Sequence, residues 1–350
     1  MAQSPQVFRV LPRQVDQTLG AALRQWLAGT SWSQARTLVQ SRRVQVNGNL
    51  CVDAGRRLCL TDVVKVLAHP AAPPPEPKDV RIAFVDAHVV VVEKPAGMTS
   101  TRHSEERHWP ARRRQVQPTL DELLPQVLAK KERGRRRRVG VPPPVRAVHR
   151  LDRDTSGLMV FARSAAAERH LAGQFRAHAT HRRYLAIVRG AISAQRIETR
   201  FVRDRGDGRR GSTTLPDVGK TAVTHVRPLE RLGGYTLVEC RLETGRTHQI
   251  RIHLAERGHP VCGEKVYHQP LFGPAEVHES GAPRLALHAA ELGFEHPVTG
   301  EPMRFEMPLP DDLEEFLNRL RREAAGDAEG RNSPRRHGGH RARRKRREKG

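Results

Sequence analysis

The chain has 350 residues, which is enough for two domains. Its formal net charge of +24 points to a polyanionic partner such as nucleic acid. No apolar run approaches the roughly 20 residues that span a bilayer, and the N-terminus lacks the charged and apolar regions of a signal peptide. The cysteines fall at no metal-ligand or redox spacing, so we expect free thiols in a reducing cytoplasm; they are Cys51, Cys59, Cys240 and Cys262.

Residues 13–69 predict a small domain of two helices and a hairpin. Asp16 can cap a helix with an apolar stripe, and Ser31 or Ser33 can cap a second one. The pair Asn47-Gly48, flanked by alternating apolar residues, is a strong hairpin signal, and a further strand follows.

This pattern resembles the S4 RNA-binding domain, which places basic residues on one face. The resemblance implies that Arg36, Arg42 and Arg43 contact RNA. The alternative is a small structural αβ domain in which these arginines bind nothing. Proline-rich residues 70–79 then predict an extended linker and a domain boundary.

After the linker, residues 80–325 form a second predicted domain that begins with strands. Ile82–Val85 and Val89–Glu93 predict a hairpin. The second strand runs into Lys94-Pro95-Ala96-Gly97, where Pro and Gly predict a sharp turn. Lys94 on this turn is either a contact for a phosphate or a plain solvent-facing charge.

Residues 101–146 predict a basic insertion in this second domain. Two arginine runs, 112–114 and 133–138, are typical of segments that become ordered against an acidic partner. Between them, Asp121–Leu128 has the pattern of a short helix, although Pro125 opposes it.

The most informative stretch runs from His149 to Ala162. Its first half is polar, forms turns and ends in Gly157, while its second half is an apolar run typical of a buried strand. Asp152 therefore lies on a loop that leads into the core of a sheet. Arg150 and neighbouring hydroxyl groups favour an ionised carboxylate there, which is what a carboxylate nucleophile requires.

Two strings downstream add candidates for the site. Tyr184 lies in a strand-like string, residues 182–190, where core packing of the ring is the alternative to a functional role. The string Gly-Arg-Thr-His-Gln-Ile-Arg-Ile-His holds Arg246 and Arg251. Its histidines, His248 and His253, have no third ligand at a recognisable spacing, so we expect no metal.

The end of the chain separates a helix from a tail. Asp311–Leu320 has the apolar spacing of an amphipathic helix. Residues 326–350 lose apolar residues and become almost wholly basic, which predicts a disordered arm.

Together these strings resemble the pseudouridine synthases of the RluA type. The resemblance rests on Val-Glu-Lys-Pro-Ala-Gly at 92–97, on His-Arg-Leu-Asp with Thr-Ser-Gly at 149–157, and on Gly-Arg-Thr-His-Gln-Ile-Arg at 245–251. It implies an α+β fold with a mixed, mainly antiparallel central sheet, flanking helices and a cleft along the middle. The strand pattern agrees and argues against alternating βαβ units.

The resemblance also implies roles for individual residues. Asp152 is the expected catalytic residue, Tyr184 is expected to pack against the target base, and Arg251 is expected to pair with Asp152. Arg246 is a second candidate for that pairing. Since isomerisation of uridine oxidises nothing, no cofactor is expected.

The expected partner is RNA. His149 and Arg150, beside the nucleophile, are placed to help extrude a target uridine. The S4-like region favours large-subunit ribosomal RNA over transfer RNA, and we expect a cytoplasmic monomer without membrane contact. A catalytically inactive RNA-binding protein is one alternative, which the intact motifs oppose. A base-excising glycosidase is another, although Asp154, only two residues from Asp152, is a poor second carboxylate.

Overall fold

The computed structural model of the protein describes residues 6–47, 49–60, 62–71, 73, 75–102, 118–132, 145–205, 209–215, 217–268 and 280–331. For residues 49 and 327–331 it describes the backbone alone. The arginine runs 112–114 and 133–138 and most of the basic tail lie outside the described residues. Within the described part, no helix is long and apolar enough to cross a membrane.

The N-terminal region folds around a four-stranded sheet. Its strands are β1 (Gln6–Arg9), β2 (Val44–Val46), β3 (Asn49–Leu50) and β4 (Val63–Val66), in the order β1-β4-β2-β3. Helices α1 (Leu19–Trp26) and α2 (Trp32–Gln40) share one apolar cluster with it, and a 3₁₀ turn spans Pro12–Gln14. The two helices and the hairpin are those that the sequence predicted.

Side-chain caps explain where α1 and α2 begin. Thr18, rather than Asp16, accepts the capping bond from the Ala21 amide at 3.3 Å, because Asp16 is turned away in the left-handed region at φ 62°. The predicted Asp16 cap is therefore wrong. Ser31 caps α2 as predicted. Its hydroxyl accepts from the Gln34 amide, and its own amide donates to the side-chain oxygen of Gln34.

A sheet of 11 strands forms the framework of the rest of the molecule. Its strands are β5 (Arg81–Val85), β6 (Val89–Lys94), β7 (Arg146–Ala147), β8 (Ser156–Ala162), β9 (His181–Arg189), β10 (Gln195–Val202), β11 (Gly211–Thr213), β12 (Lys220–Leu232), β13 (Tyr235–Leu242), β14 (Leu287–Glu295) and β15 (Pro302–Glu306). The main order is β11-β10-β12-β13-β9-β14-β8-β6-β5, with β15 on β14 and β7 on β8. Every described pairing is antiparallel except that of β14 with β8, so the predicted mixed, mainly antiparallel sheet is confirmed.

Helices cover both faces of the middle of this sheet. On one face, α3 (Leu120–Glu132) and α6 (Asp311–Arg331) join the largest apolar cluster. On the other face lies α4 (Ala165–Arg176), and α5 (Gln249–Glu256) is buried along its whole length. Since β8 is buried at every residue, the apolar run after Gly157 is the core strand that the sequence predicted.

Gly157 allows β8 and β14 to approach each other closely. Its φ is +127°, and a Cβ atom built on it would lie 2.3 Å from the carbonyl oxygen of Ala289 on β14. A side chain at this position is therefore excluded.

Two predicted segments differ from the structure in extent. The helix predicted at Asp121–Leu128 runs from Leu120 to Glu132 and includes Pro125. Since four of its leucines are buried in the main core, this part of the predicted insertion belongs to the core of the fold. Helix α6 likewise continues to Arg331, beyond the predicted start of the tail at 326.

Candidate active site

A cleft of about 620 Å³ opens between the Asp152 loop, the end of α4, β9 and the start of α5. Six of the ten predicted site residues line it, namely Asp152, Tyr184, Arg251, His149, Arg150 and Arg246. Among the described lining residues Asp152 is the one carboxylate, whereas five arginines line the same cleft. A single anionic group thus lies among many cations.

Asp152 lies on the loop that joins β7 to β8, and the turn after β6 supports this loop from below. The Gly97 amide and the Arg153 carbonyl are joined at 2.8 Å, and the Arg153 guanidinium donates back to the Gly97 carbonyl at 3.0 Å. The hydroxyl of Ser100 donates to the Leu151 carbonyl at 2.7 Å. Two segments more than 50 residues apart therefore fix the Asp152 backbone together.

Arg251 holds the carboxylate of Asp152 from the side of α5. Its Nη1 lies 3.5 Å from Asp152 Oδ2, and its Nε and Nη2 each donate to Glu264 at 2.7 Å. Burial disfavours the charged form of both residues. The hydrogen bonds to Glu264 nevertheless raise the pKa of Arg251, and those from Arg251 lower the pKa of Glu264. Both partners stay charged, and Arg251 keeps one N–H edge for Asp152.

His248 contributes a neutral ring on the same side. Its Nε2 lies 3.8 Å from Asp152 Oδ1, and its Nδ1 is bonded to the Tyr267 hydroxyl at 2.7 Å. Its backbone is left-handed, with φ 59°, just before α5 begins. Burial lowers the pKa of His248, so the ring adds no positive charge at neutral pH.

Tyr184 lines the cleft from β9 and is 9% exposed. It pairs with Cys240 on β13 and with Ala289 on β14, so the strand is held on both sides. Burial raises the pKa of Tyr184, which keeps its hydroxyl protonated at neutral pH. The structure thus brings Asp152, Arg251 and Tyr184 to one cleft.

Comparison with known proteins agrees with this arrangement. A family model of RNA pseudouridylate synthases matches residues 88–256, which span the Asp152 loop and the whole of α5. The chain is 36% identical to the uncharacterized RNA pseudouridine synthase YlyB of Bacillus subtilis, over 88% of this chain and 94% of that protein. The chain belongs to the RNA pseudouridine synthase family. The resemblance stated from the motifs is confirmed, and the synthase is accordingly an isomerase.

Two further relatives extend the comparison. The synthase is 34% identical to the ribosomal large subunit pseudouridine synthase D of Zymomonas mobilis, over 86% of this chain and 93% of that protein. Its structure is similar to that of human RNA pseudouridylate synthase domain containing 4, with a TM-score of 0.53 and 25% identity, over 69% of this chain and 92% of that one.

Lys94 is placed differently from the prediction. Its side chain is fully buried, and its Nζ donates to the carbonyl oxygens of Pro95, Met98 and Arg153 at 2.8–3.0 Å. Burial lowers the pKa of Lys94 to about 7. This position contradicts both expectations for Lys94, a phosphate contact and a solvent-facing charge, because the amine is enclosed by backbone of the synthase and supports the Asp152 loop.

His149 and Arg150 lie at the cleft in different environments. The His149 ring stacks on Phe175, with centroids 4.4 Å apart, and its Nε2 accepts from the Val160 amide at 3.1 Å. Burial lowers the pKa of His149 to about 3, so it is a neutral part of the wall. Arg150 is exposed at the cleft.

Arg246 lines the cleft without reaching Asp152. Its Nε donates to the Thr221 carbonyl at 2.9 Å, and its amide donates to Gln249 at 3.0 Å. The pairing with Asp152 for which it was the second candidate is made by Arg251.

The three arginines of the N-terminal region do not share one environment. Arg36 is exposed on α2, as an RNA-facing residue requires. Arg43 is half-buried and donates to the Leu67 carbonyl at 3.0 Å. Arg42 is half-buried and left-handed at φ 67°, one residue after Ser41, the C-cap of α2. The S4-like role of this region stays a prediction.

Neighbouring hydroxyl groups contact the rings of both histidines of the third string, His248 and His253. His253 is fully buried between the hydroxyls of Thr224 and Thr199, each 2.9 Å from one ring nitrogen. Across the described ranges, no cluster of three or more His, Cys, Asp or Glu is positioned to hold a metal ion.

Sequence reasoning missed Glu264, His248 as a neighbour of Asp152, and Arg182. Glu264 directly follows Gly263 in the string Gly-His-Pro-Val-Cys-Gly-Glu, but neither helical nor strand spacing relates it to Arg251, 13 residues earlier. Arg182 could have been predicted as a cleft residue, because alternation along β9 places its side chain on the same face as that of Tyr184.

Proposed function

We propose that the synthase converts uridine to pseudouridine in large-subunit ribosomal RNA, with Asp152 as its nucleophile and without a cofactor. The observation that carries the proposal is the isolation of Asp152 in the cleft, with Arg251 at 3.5 Å. A carboxylate so held is oriented by a cation and 16% exposed, which suits a nucleophile that must meet its substrate away from bulk water.

The reaction exchanges one bond to the ribose for another. The C1′–N1 bond breaks while Asp152 attacks either C1′ or C6, or assists formation of a glycal. The uracil then turns in the cleft and a C1′–C5 bond forms. The bond to Asp152 breaks, or the proton that it took in forming a glycal returns, and the C5 proton is lost as N1 gains one. Nothing is oxidised, so the reaction requires a nucleophile, a cavity that excludes water and a surface on which the base can turn.

The other cleft residues have roles in this proposal that follow from their positions. The ring of Tyr184 offers the base an aromatic face, and its protonated hydroxyl can give or receive a proton. Exposed Arg150 is free to enter the space that the extruded uridine leaves in the RNA. Arg246 binds substrate, and His149 supports the wall rather than the substrate.

The choice of ribosomal RNA rests on relatives and on charge. The relative from Zymomonas mobilis is named as a ribosomal large subunit synthase, and the chain carries a net charge of +24. We propose that residues 13–69 act as an S4-like module that holds structured RNA, with Arg36 on its open surface.

The test uses unmodified transcripts of large-subunit ribosomal RNA and of transfer RNA, each labelled with tritium at C5 of uridine. We expect the full-length synthase to release tritium from the ribosomal transcript and to leave no free uracil. Free uracil in stoichiometric amount contradicts isomerisation and indicates a glycosidase. Release from transfer RNA alone contradicts the proposed substrate class. Mapping pseudouridine in the product then identifies the modified position.

A further inference from the structure

Arg182 is a buried cation for which the described part of the chain supplies no counter-ion. It is 9% exposed, it lines the cleft, and no described carboxylate pairs with it. Among the described residues its side chain makes one hydrogen bond, a long one of 3.4 Å from Nη2 to the Leu242 carbonyl, and its buried Nε has no partner there. Burying a charge in this way is unfavourable unless something else neutralises it.

Two neighbours enclose the guanidinium of Arg182. The ring of Phe175 lies beneath it at 5.8 Å from the ring centroid. A Cβ atom built on Gly245 would lie 3.0 Å from Arg182 Nη1, so the backbone just before Arg246 passes directly against the guanidinium. The group is therefore fixed rather than free to turn to solvent.

Two other basic side chains adjoin Arg182 at this wall of the cleft. Partial burial and then the charges of Arg182 and Arg246 lower the pKa of His178, while the charge of Glu243 opposes them. All three line the cleft, and Arg176 lies at the same wall. The carboxylate that also acts on His178, Glu243, is bonded to Arg196 and His225. Arginines gathered in a cleft in this way are an arrangement by which proteins bind phosphate groups.

We infer that Arg182, Arg246 and His178 form a subsite for one phosphodiester group of the RNA backbone next to the uridine that enters the cleft. This inference rests on the proposed function for the identity of the ligand as RNA. Arg182 faces the buried side of the phosphate and Arg246 and His178 its open side. The subsite fixes the ribose, so that the uracil alone turns when its bond to C1′ is broken.

The subsite is tested by binding, with no turnover required. The full-length protein is titrated with uridine, uridine 5′-monophosphate, uridine 3′-monophosphate and inorganic phosphate. We expect at least one of the two nucleotides to bind about tenfold or more tightly than uridine, since a charge-assisted contact contributes that much. The same preference should vanish in Arg182→Met and persist in Arg322→Met, a matched control whose side chain is exposed on α6 and outside the cleft.

Each other outcome contradicts the inference. Equal binding of uridine and both nucleotides to the wild-type protein rules out a phosphate subsite. An equal loss of all nucleoside and nucleotide binding in Arg182→Met shows that Arg182 contacts the uracil or supports the fold. Inorganic phosphate that binds as tightly as the nucleotides shows a site for free anions. Failure of tritium release would overturn the proposed function while leaving this binding result standing, so the two failures are distinguishable.

Discussion

Arg251 and Arg182 are equally buried, at 8% and 9% exposure, and they line the same cleft. They differ in the partners that the described residues give their side chains. Arg251 is bound by both oxygens of Glu264 and presents its remaining edge to Asp152. The Arg182 side chain has one weak bond, to a carbonyl oxygen, among the residues that the structure describes. We infer that Arg251, which is fully paired, holds the protein's own catalytic group, whereas Arg182, which is not, binds a charged group of a ligand.

The largest effect is expected when the carboxylate of Asp152, which Arg251 holds, is replaced. Asp152→Asn should abolish isomerisation and leave affinity for RNA within a few fold, because the amide keeps the shape of the carboxylate and loses its nucleophilicity. Tritium release and a binding titration measure the two quantities on the same preparation. Loss of a nucleophile exceeds the factor of roughly 10²–10⁴ that acid–base assistance provides, so turnover above about one per cent of wild type contradicts this role.

The next prediction compares the two arginines through stability. Glu264→Gln leaves Arg251 buried without a full counter-ion and should lower the free energy of unfolding by about 3–5 kcal/mol. Arg182→Met removes a charge that is already uncompensated, so the free energy of unfolding should stay unchanged or rise. Urea denaturation of both variants, without RNA, measures the difference.

Glu264→Asp serves as the control for the first variant, because it keeps the charge and should retain part of the stability. A loss in Arg182→Met as large as that in Glu264→Gln would show that Arg182 is a structural cation. The comparison between the two arginines would then fail.

A smaller effect is expected at Tyr184, which lies on the same face of β9 as Arg182. Tyr184→Phe keeps the aromatic face and loses any proton transfer, whereas Tyr184→Ala also loses stacking that contributes roughly 1–3 kcal/mol per base. We expect kcat to fall in both and binding of RNA to weaken further in the alanine variant. Wild-type turnover in both variants would assign Tyr184 to core packing alone.

These contrasts also show how far sequence reasoning reached. Local alternation and turn residues were enough for the hairpin of β5 and β6 and for the buried strand β8, because those signals lie within a few neighbouring residues. The motifs likewise identified Asp152, Tyr184 and Arg251, which the structure places in one cleft.

What could not be predicted depends on contacts between distant residues. Lys94 bonds to the Arg153 carbonyl, 59 residues away, and a sequence window does not reveal that an amine beside a turn is enclosed by backbone. Charge alone did not separate Arg251 from Arg246, because the partner Glu264 is defined by how α5 and the following turn pack together. The pairing state of a charged residue is a property of the fold.

The last prediction sets the fixed cation Arg182 against cations supplied by the tail. Residues 332–350, outside the described part of the chain, hold nine Lys or Arg and one Glu, and α6 ends just before them. Deleting 332–350 should weaken RNA binding and flatten its salt dependence, since each phosphate contact contributes roughly 0.7–0.9 to the slope of log K against log salt. Arg182→Met should lower that slope by about one such contact.

The two changes should differ in what else they alter. Tail deletion should lower the slope by several contacts and leave the modified uridine unchanged, because sequence-independent charge does not choose a base. The measurement is a salt titration of binding for both variants, with the pseudouridine position mapped in each. An unchanged slope after deletion would show that the tail does not touch RNA. A shifted position would show that the tail helps to select the target, and the division between a fixed subsite and a diffuse charge would have to be abandoned.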